Sequence, residues 1–497
     1  MNLYKMDDKF NEIKVSKKYR NFLISGIGRI LLTRVTSVIY IILLVRFVPL
    51  ILQDYMIIIN NIMGISATVG LFGIGFSLTQ KKISSHTSNE DFYKIIFTVF
   101  ILGMPINLIS VFIIMLYIEL TTIEIIILIL TSLLNYALYI IFVLNDGLIK
   151  SELTIMAKTI YSVLNSILVP SLFIIFETFH SILFAWNISM IIAILSSLGT
   201  VKEIFNYLKF DLKNTKSIIK FGFPVYLTSL LTFVSQRLDT FILYLFYEIG
   251  ETSQYYWVLR IAQVCQEFFF SIFTGLFPLL TKIFSRNEDE HYREIINSFL
   301  RIINFGSVYF FGLLIVSSEL MIKYLLGYNN PIYYLIIKYA FLAYIFRAIS
   351  MILYTSSLAQ GKTKIISIGS IISNSTKSIG LILFYNFGPL FFIYIMVFQY
   401  MVLTTYYIFV KRSILSINTQ LLRNLIFLVV LITSTFFIPQ GVTLNQSILY
   451  LILYLFSSIL LGYIIKPLSK NDLENISNII GDRFNTFIKI LKQIFVI

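Results

Sequence analysis

Five basic residues stand near the middle of apolar runs long enough to cross a membrane: Arg34, Arg237, Arg260, Arg347 and Lys377. A cation at mid-bilayer costs about 2.5–3.5 kcal/mol on insertion scales, so its side chain must find a cavity or a partner. Only two carboxylates, Asp239 and Glu267, lie comparably deep. The excess of cations predicts a wet cavity that attracts an anion. A phosphate or pyrophosphate ester is the anionic group that an Arg fork grips with two prongs. Arg260, Gln263 and Glu267 are spaced i, i+3, i+7 and project from one helix face, as a stripe lining an internal path would. Gln236, Arg237 and Asp239 crowd the preceding run, but residues two apart share no face, so Asp239 is free to reach a charge on another helix. Asp239 and Glu267 either pair with the cations or carry a coupling ion, Na+ or H+, and the spacing leaves both roles open. Arg29, Arg301 and Lys338 lie closer to run ends, where a long stem snorkels, and read as structural.

Catalysis has no constellation to work with. The three His, at 86, 180 and 291, are far apart, and the single Cys265 excludes both an intrachain disulfide and a cysteine-rich metal site. Gly361-Lys362-Thr363 imitates the end of a phosphate loop, but Ser356 stands where the first glycine belongs, so the segment reads as a turn. A glycosyltransferase acting on polyprenyl-linked sugars needs acidic residues in a large outer loop, and Asp54 alone falls in the first one. No stretch is long enough for a nucleotide-hydrolysing domain. Neither an enzyme nor a cofactor is predicted, and no metal site.

These residues must be held by helices. Hydrophobic residues make up 58% of the 497 and charged ones only 13%, about half the globular share. Fourteen apolar runs of roughly 20 residues can be drawn, near 22–45, 56–79, 95–118, 124–145, 155–176, 181–199, 221–247, 254–281, 296–318, 332–358, 365–387, 389–410, 422–438 and 446–466. Numbering the loops alternately, 29 of the 39 Lys and Arg fall on one side and only Arg46 and Lys323 on the other. That bias predicts a multi-pass membrane protein with both termini in the cytoplasm. It also accounts for most of the +14 net charge, so nucleic acid is not an expected partner.

Lys82-Ile83 followed by Asn89 to Lys94 recurs as Lys282-Ile283 followed by Asn287 to Arg293, and Tyr55 recurs as Tyr255. An offset of about 200 residues predicts two six-helix lobes in parallel orientation. The predicted units are residues 1–210 and 211–415, the last two spans at 416–466, and a cytoplasmic amphipathic tail at 467–497. The basic loop Thr200 to Lys220 is the expected linker. Asn445-Gln446-Ser447 forms an acceptor-like triplet in an expected outer loop.

Several motifs resemble the Wzx-type flippases of polysaccharides and lipid-linked oligosaccharides, within the multidrug/oligosaccharidyl-lipid/polysaccharide exporter superfamily. The resemblance covers nearly the whole chain. It rests on Phe47-Val48-Pro49 through Tyr55, Gly70 to Gly75, Phe221-Gly222-Phe223-Pro224, Asp239, Tyr255-Tyr256 to Arg260, Pro278, Leu326-Gly327-Tyr328, Ala359-Gln360-Gly361-Lys362 and Asn386-Phe387-Gly388. Met56 and Pro389-Leu390 depart from the pattern. Arg34 and Arg260 resemble basic positions of the lipid II flippases thought to touch pyrophosphate, whereas a second such position falls near Tyr40. The resemblance implies a plasma-membrane flippase that moves a polyprenyl-phosphate- or pyrophosphate-linked oligosaccharide outward by alternating access. Arg34, Arg237, Arg260, Arg347 and Lys377 would bind its headgroup, and polymerases or glycosyltransferases of the glycan pathway would be its partners. A MATE-like ion-coupled exporter and a non-transporting membrane scaffold are the alternatives.

Overall fold

A computed structural model describes residues 33–74, 89–148, 151–197, 199, 208–271, 280–281, 283–284, 289–412, 444–469, 472 and 495, with short helical stretches between 423 and 433. Long apolar runs cannot leave backbone groups unpaired in lipid, so each closes its hydrogen bonds internally as a helix. Along the chain come α1 (33–47), α2 (Leu50–Gly70), α3 (Asn89–Met115), α4 (Thr122–Gly147), α5 (Ser151–Phe176), α6 (Phe179–Leu195) and α7 (Leu212–Phe246). They are followed by α8 (Glu251–Ser271), α9 (Asp289–Val316), α10 (Pro331–Ala359), α11 (Thr363–Leu383), α12 (Pro389–Val410) and α13 (Leu444–Ile465). The helical residues between 423 and 433 fall on the thirteenth predicted run, and α13 is the fourteenth. Among the described residues, nine helices are long and apolar enough to cross a membrane by themselves. α7 and α8 are not among them, and they carry Arg237, Asp239, Arg260 and Glu267.

Helix ends follow local chemistry. Thr121 and Glu124 close a capping box at the start of α4. Asp211 caps α7 through the Asn214 N–H at 3.0 Å, and Asn330 caps α10 ahead of Pro331. Gly361 turns between α10 and α11 at φ +67°, so Gly361-Lys362-Thr363 is a turn there.

Packing repeats with the predicted period. α4 packs on α3, α6 and α2 as α10 packs on α9, α12 and α8, and α5 pairs with α6 as α11 pairs with α12. The two repeated elements, Asn89 to Lys94 and Asn287 to Arg293, run into α3 and α9, the second described from Asp289 onward. The lobes meet where α7 and α8 cross α2. Where α2 ends, Gly70 and Gly103 admit the Tyr136 ring, whose hydroxyl lies 3.0 Å from the Gly70 carbonyl and 2.8 Å from that of Val99.

Several expectations change. Asp54 is not in a loop: α2 begins at Leu50, and Asp54 is buried on it. The linker is shorter than drawn, because α7 starts at Leu212. A π-helical turn, Met321–Leu326, follows α9 and ends at Gly327, φ +75°. Asn445-Gln446-Ser447 lies in the first turn of α13 with Ser447 buried. Most of the predicted tail, 473–494, lies outside the described residues. Its described residues dock on the bundle: Arg301 grips fully buried Asp472 through two bonds of 2.9 and 2.7 Å. The Leu468 N–H donates to the Phe495 carbonyl. The Phe495 ring packs on Phe305 and Tyr309 of α9, in space that Gly462 leaves open.

Just beyond α12, Lys411 is 2% exposed and donates to Gln360 Oε1 at 2.8 Å. Burial, with the nearby Lys362 charge, pulls its ammonium down to about 8. The folded state therefore releases a proton near pH 8 that the unfolded chain keeps to about 10.5. The cost of burying the charge is full below pH 8 and relieved as pH rises through that window. We expect Lys411→Met to raise thermal stability in detergent most below pH 8, the gap closing toward pH 10. A pH-independent gap would contradict this.

Candidate functional site

The charged residues fall into an open group and a closed one. In the open group, Arg34 of α1 is ion-paired with Glu267 of α8, and the two side chains are 29% and 35% exposed. Neither side chain is shut away, so both remain open to a ligand. The Arg260 guanidinium, two turns before Glu267 on α8, donates to Gln263 Oε1 at 3.2 Å. The stripe Arg260, Gln263, Glu267 is thus partly exposed along its length. Across from it on α10, Arg347 donates to Gln266 Oε1 at 2.9 Å and lies over the rings of Phe270 and Tyr400 at 6.0 and 5.3 Å. Gln266 directly precedes Glu267 on α8, so Arg347 joins this neighbourhood through it. Arg34 belongs to it through Glu267.

Arg237 stands apart, at the joint of α2 and α7. Its guanidinium donates to Asn61 Oδ1 at 2.5 Å and lies over Phe233, while Asn61 Nδ2 donates to Thr240 Oγ1 at 2.8 Å. Partial exposure leaves it available, but no described contact links it to the Arg34 group.

The closed group joins three helices of the second lobe. Lys377 of α11 meets Asp239 of α7 at 3.0 Å, and the Tyr255 hydroxyl of α8 donates to the same oxygen at 3.3 Å. Asp239 is 3% and Lys377 5% exposed. Asp239 does reach a cation on another helix.

Sequence reasoning missed the contacts that close one end of the bundle. Asp54 on α2 accepts from the N–H groups of Gly250 and Ser253, each at 2.7 Å, and so caps the first turn of α8 from the other lobe. Beside it, Trp257 Nε1 donates to Gln53 Oε1 at 2.6 Å. Arg46 donates to the Tyr324 carbonyl of the π-helical turn at 2.7 Å, and Tyr244 to the Tyr117 carbonyl at 3.1 Å. The only signal for this latch was a polar pair, Gln53-Asp54, in the stretch read as the first outer loop. An apolar groove of about 580 Å³ between α11 and α12, edged by Phe384, Phe391 and Phe398, holds none of the charged residues.

A sequence profile of one family, described as polysaccharide biosynthesis protein, matches residues 19–284. The chain belongs to this polysaccharide biosynthesis protein family. Among solved structures, this family member is similar to the lipid II flippase MurJ in an inward closed conformation. The TM-score is 0.68 at 19% identity, over 88% of this chain and 98% of that one. It is also similar to a mutant of the Vibrio cholerae MATE transporter VcmN, with a TM-score of 0.52 at 13% identity over 79% and 96% of the two chains. A superfamily transporter from Pyrococcus furiosus, described as having a binding pocket of reverse polarity, matches with a TM-score of 0.56 at 13% identity over 79% and 94%. No curated protein sequence matches. This polysaccharide biosynthesis protein family member thus has the helical, multi-span fold seen in the flippase and MATE transporter structures.

Proposed function

We propose that the protein flips a polyprenyl-phosphate- or pyrophosphate-linked oligosaccharide from the cytoplasmic to the outer leaflet of the plasma membrane by alternating access. The observation that carries this reading is the partly exposed Arg34–Glu267 pair between the lobes, with Arg260 on the same stripe of α8 and Arg347 bonded to the adjacent Gln266. Here the carboxylate of Glu267 holds the place of the headgroup: an arriving phosphate displaces it from Arg34 and finds two further cations at hand. Arg237, on the α2–α7 joint, would meet the headgroup or its first sugar as the lobes rock. Charge asymmetry puts both termini in the cytoplasm, so the end closed by Asp54 is the outer one. Glycosyltransferases or polymerases of the same glycan pathway would supply and consume the cargo, and a coupling ion, Na+ or H+, would enter at Glu267. An exporter of small organic cations is disfavoured, because both deep carboxylates are already engaged by the protein's own cations.

The direct test is reconstitution in liposomes with a lipid-linked oligosaccharide, following its exposure to an external probe. Exchange that is faster with the wild type than in empty liposomes, and lost with Arg34→Ala and Arg260→Ala, is the expected result. No exchange from several natural lipid-linked glycans, with or without an ion gradient, would refute it.

A further inference from the structure

We infer that Asp239 forms a site for a monovalent cation in the second lobe, and that the ammonium of Lys377 is its built-in occupant. The inference rests on geometry and, for its consequence alone, on the flippase reading.

Asp239 sits where α7, α8 and α11 converge. Its Oδ2 takes the Lys377 ammonium at 3.0 Å and the Tyr255 hydroxyl at 3.3 Å, and its Oδ1 takes the Thr240 N–H at 2.9 Å. A carboxylate this buried is tolerated only beside a positive charge. Lysine suits the role better than arginine, because its ammonium is a compact point charge whose size and coordination approach those of a small cation. The stem delivers that charge without recruiting an ion from solution. The surroundings hold α11 in place: Asn374, one turn before Lys377, donates to Thr232 Oγ1 at 2.8 Å. From α7, the Ser235 hydroxyl donates to the Asn374 carbonyl at 3.3 Å. A contrast with Arg34–Glu267 completes the argument. Both are Arg or Lys with carboxylate, yet that pair is about one-third exposed, whereas this one is shut away. Asp239 is therefore a permanently filled cation site and not the carrier of a coupling ion. Lys377 serves the lobe, not the headgroup.

Removing the occupant should turn the site into one that a dissolved cation fills. Thermal unfolding of the purified full chain would be compared in sodium, methylammonium and choline chloride at equal ionic strength. We expect Lys377→Ala to melt lower than wild type in choline. Sodium or methylammonium should raise its midpoint with a saturating dependence, as binding to the folded state alone requires. Asp239→Asn combined with Lys377→Ala should lose that response. No saturating response in Lys377→Ala, or one that persists in the double variant, overturns the inference. If Lys377→Ala cannot be purified, Lys377→Gln, whose amide can still donate to Asp239, decides by the same comparison. Because the readout is stability, its outcome is separate from whether lipid-linked glycan moves in liposomes.

Discussion

Substituting Asp54 by alanine is expected to unlatch one end of the bundle. The change removes the acceptor of two backbone N–H groups in the first turn of α8, Gly250 and Ser253. Each buried donor left without a partner costs about 1–3 kcal/mol, and losing a carboxylate from a helix N-terminus adds up to about 2 kcal/mol. A shift of roughly 3–5 kcal/mol against the closed arrangement corresponds to a factor of about a hundred to several thousand in its population. The neighbouring Trp257–Gln53 bond cannot make up such a difference, since a neutral hydrogen bond contributes about 1 kcal/mol. Exposure of this end can be read from maleimide labelling of Ser253→Cys in a Cys265→Ala background. Ser253 is fully buried, so slow labelling is expected with Asp54 present and fast labelling with Asp54→Ala. Asp54→Asn, which keeps one acceptor oxygen, should fall between. Equal labelling rates would falsify the latch.

Arg34 and Glu267 should give opposite signs in headgroup binding although they form one pair. Arg34→Ala deletes a charge-assisted contact to phosphate worth roughly 1.5–3 kcal/mol, and affinity for a short-chain polyprenyl phosphate should drop about 10- to 150-fold. Glu267→Gln removes the competitor instead. A part-exposed ion pair contributes about 0.2–1 kcal/mol, so affinity should rise by up to about fivefold. Outward transfer should nevertheless slow in that variant, because no carboxylate remains to reclaim the guanidinium when the headgroup leaves. Equilibrium binding and leaflet exchange measured on the same two variants separate these effects. If both substitutions weaken binding equally, Glu267 contacts the substrate and is not its stand-in.

How much of this was legible in the chain follows from what kind of partner each residue has. The spans could be drawn because lipid demands uninterrupted apolar length, and α4 to α6 start and stop within a few residues of expectation. The deep charges were visible because each breaks that length. Their grouping was not: that Arg34 faces Glu267 while Lys377 faces Asp239 depends on which helices touch, and residues so far apart in the chain carry no local sign of it. Asp54 was misplaced for a related reason. Its partners are backbone N–H groups of another helix, which have no letter in the sequence, so a buried cap looked like a solvated loop. The π-helical turn was equally hidden, since Met321–Leu326 has no composition that marks it off from an ordinary helical turn.

The docking of Asp472 and Phe495 on α9 has a bearing on biosynthesis. Arg301 enters the bilayer with its helix when some 170 residues remain to be translated before its partner exists, and the aromatic wall of Phe305 and Tyr309 waits longer still for Phe495. During that interval the cation must be sheltered by water, lipid phosphate or an insertion factor, and the second lobe stays unfinished. Completion of this protein is thus coupled to synthesis of residue 495 and cannot proceed lobe by lobe as the chain emerges.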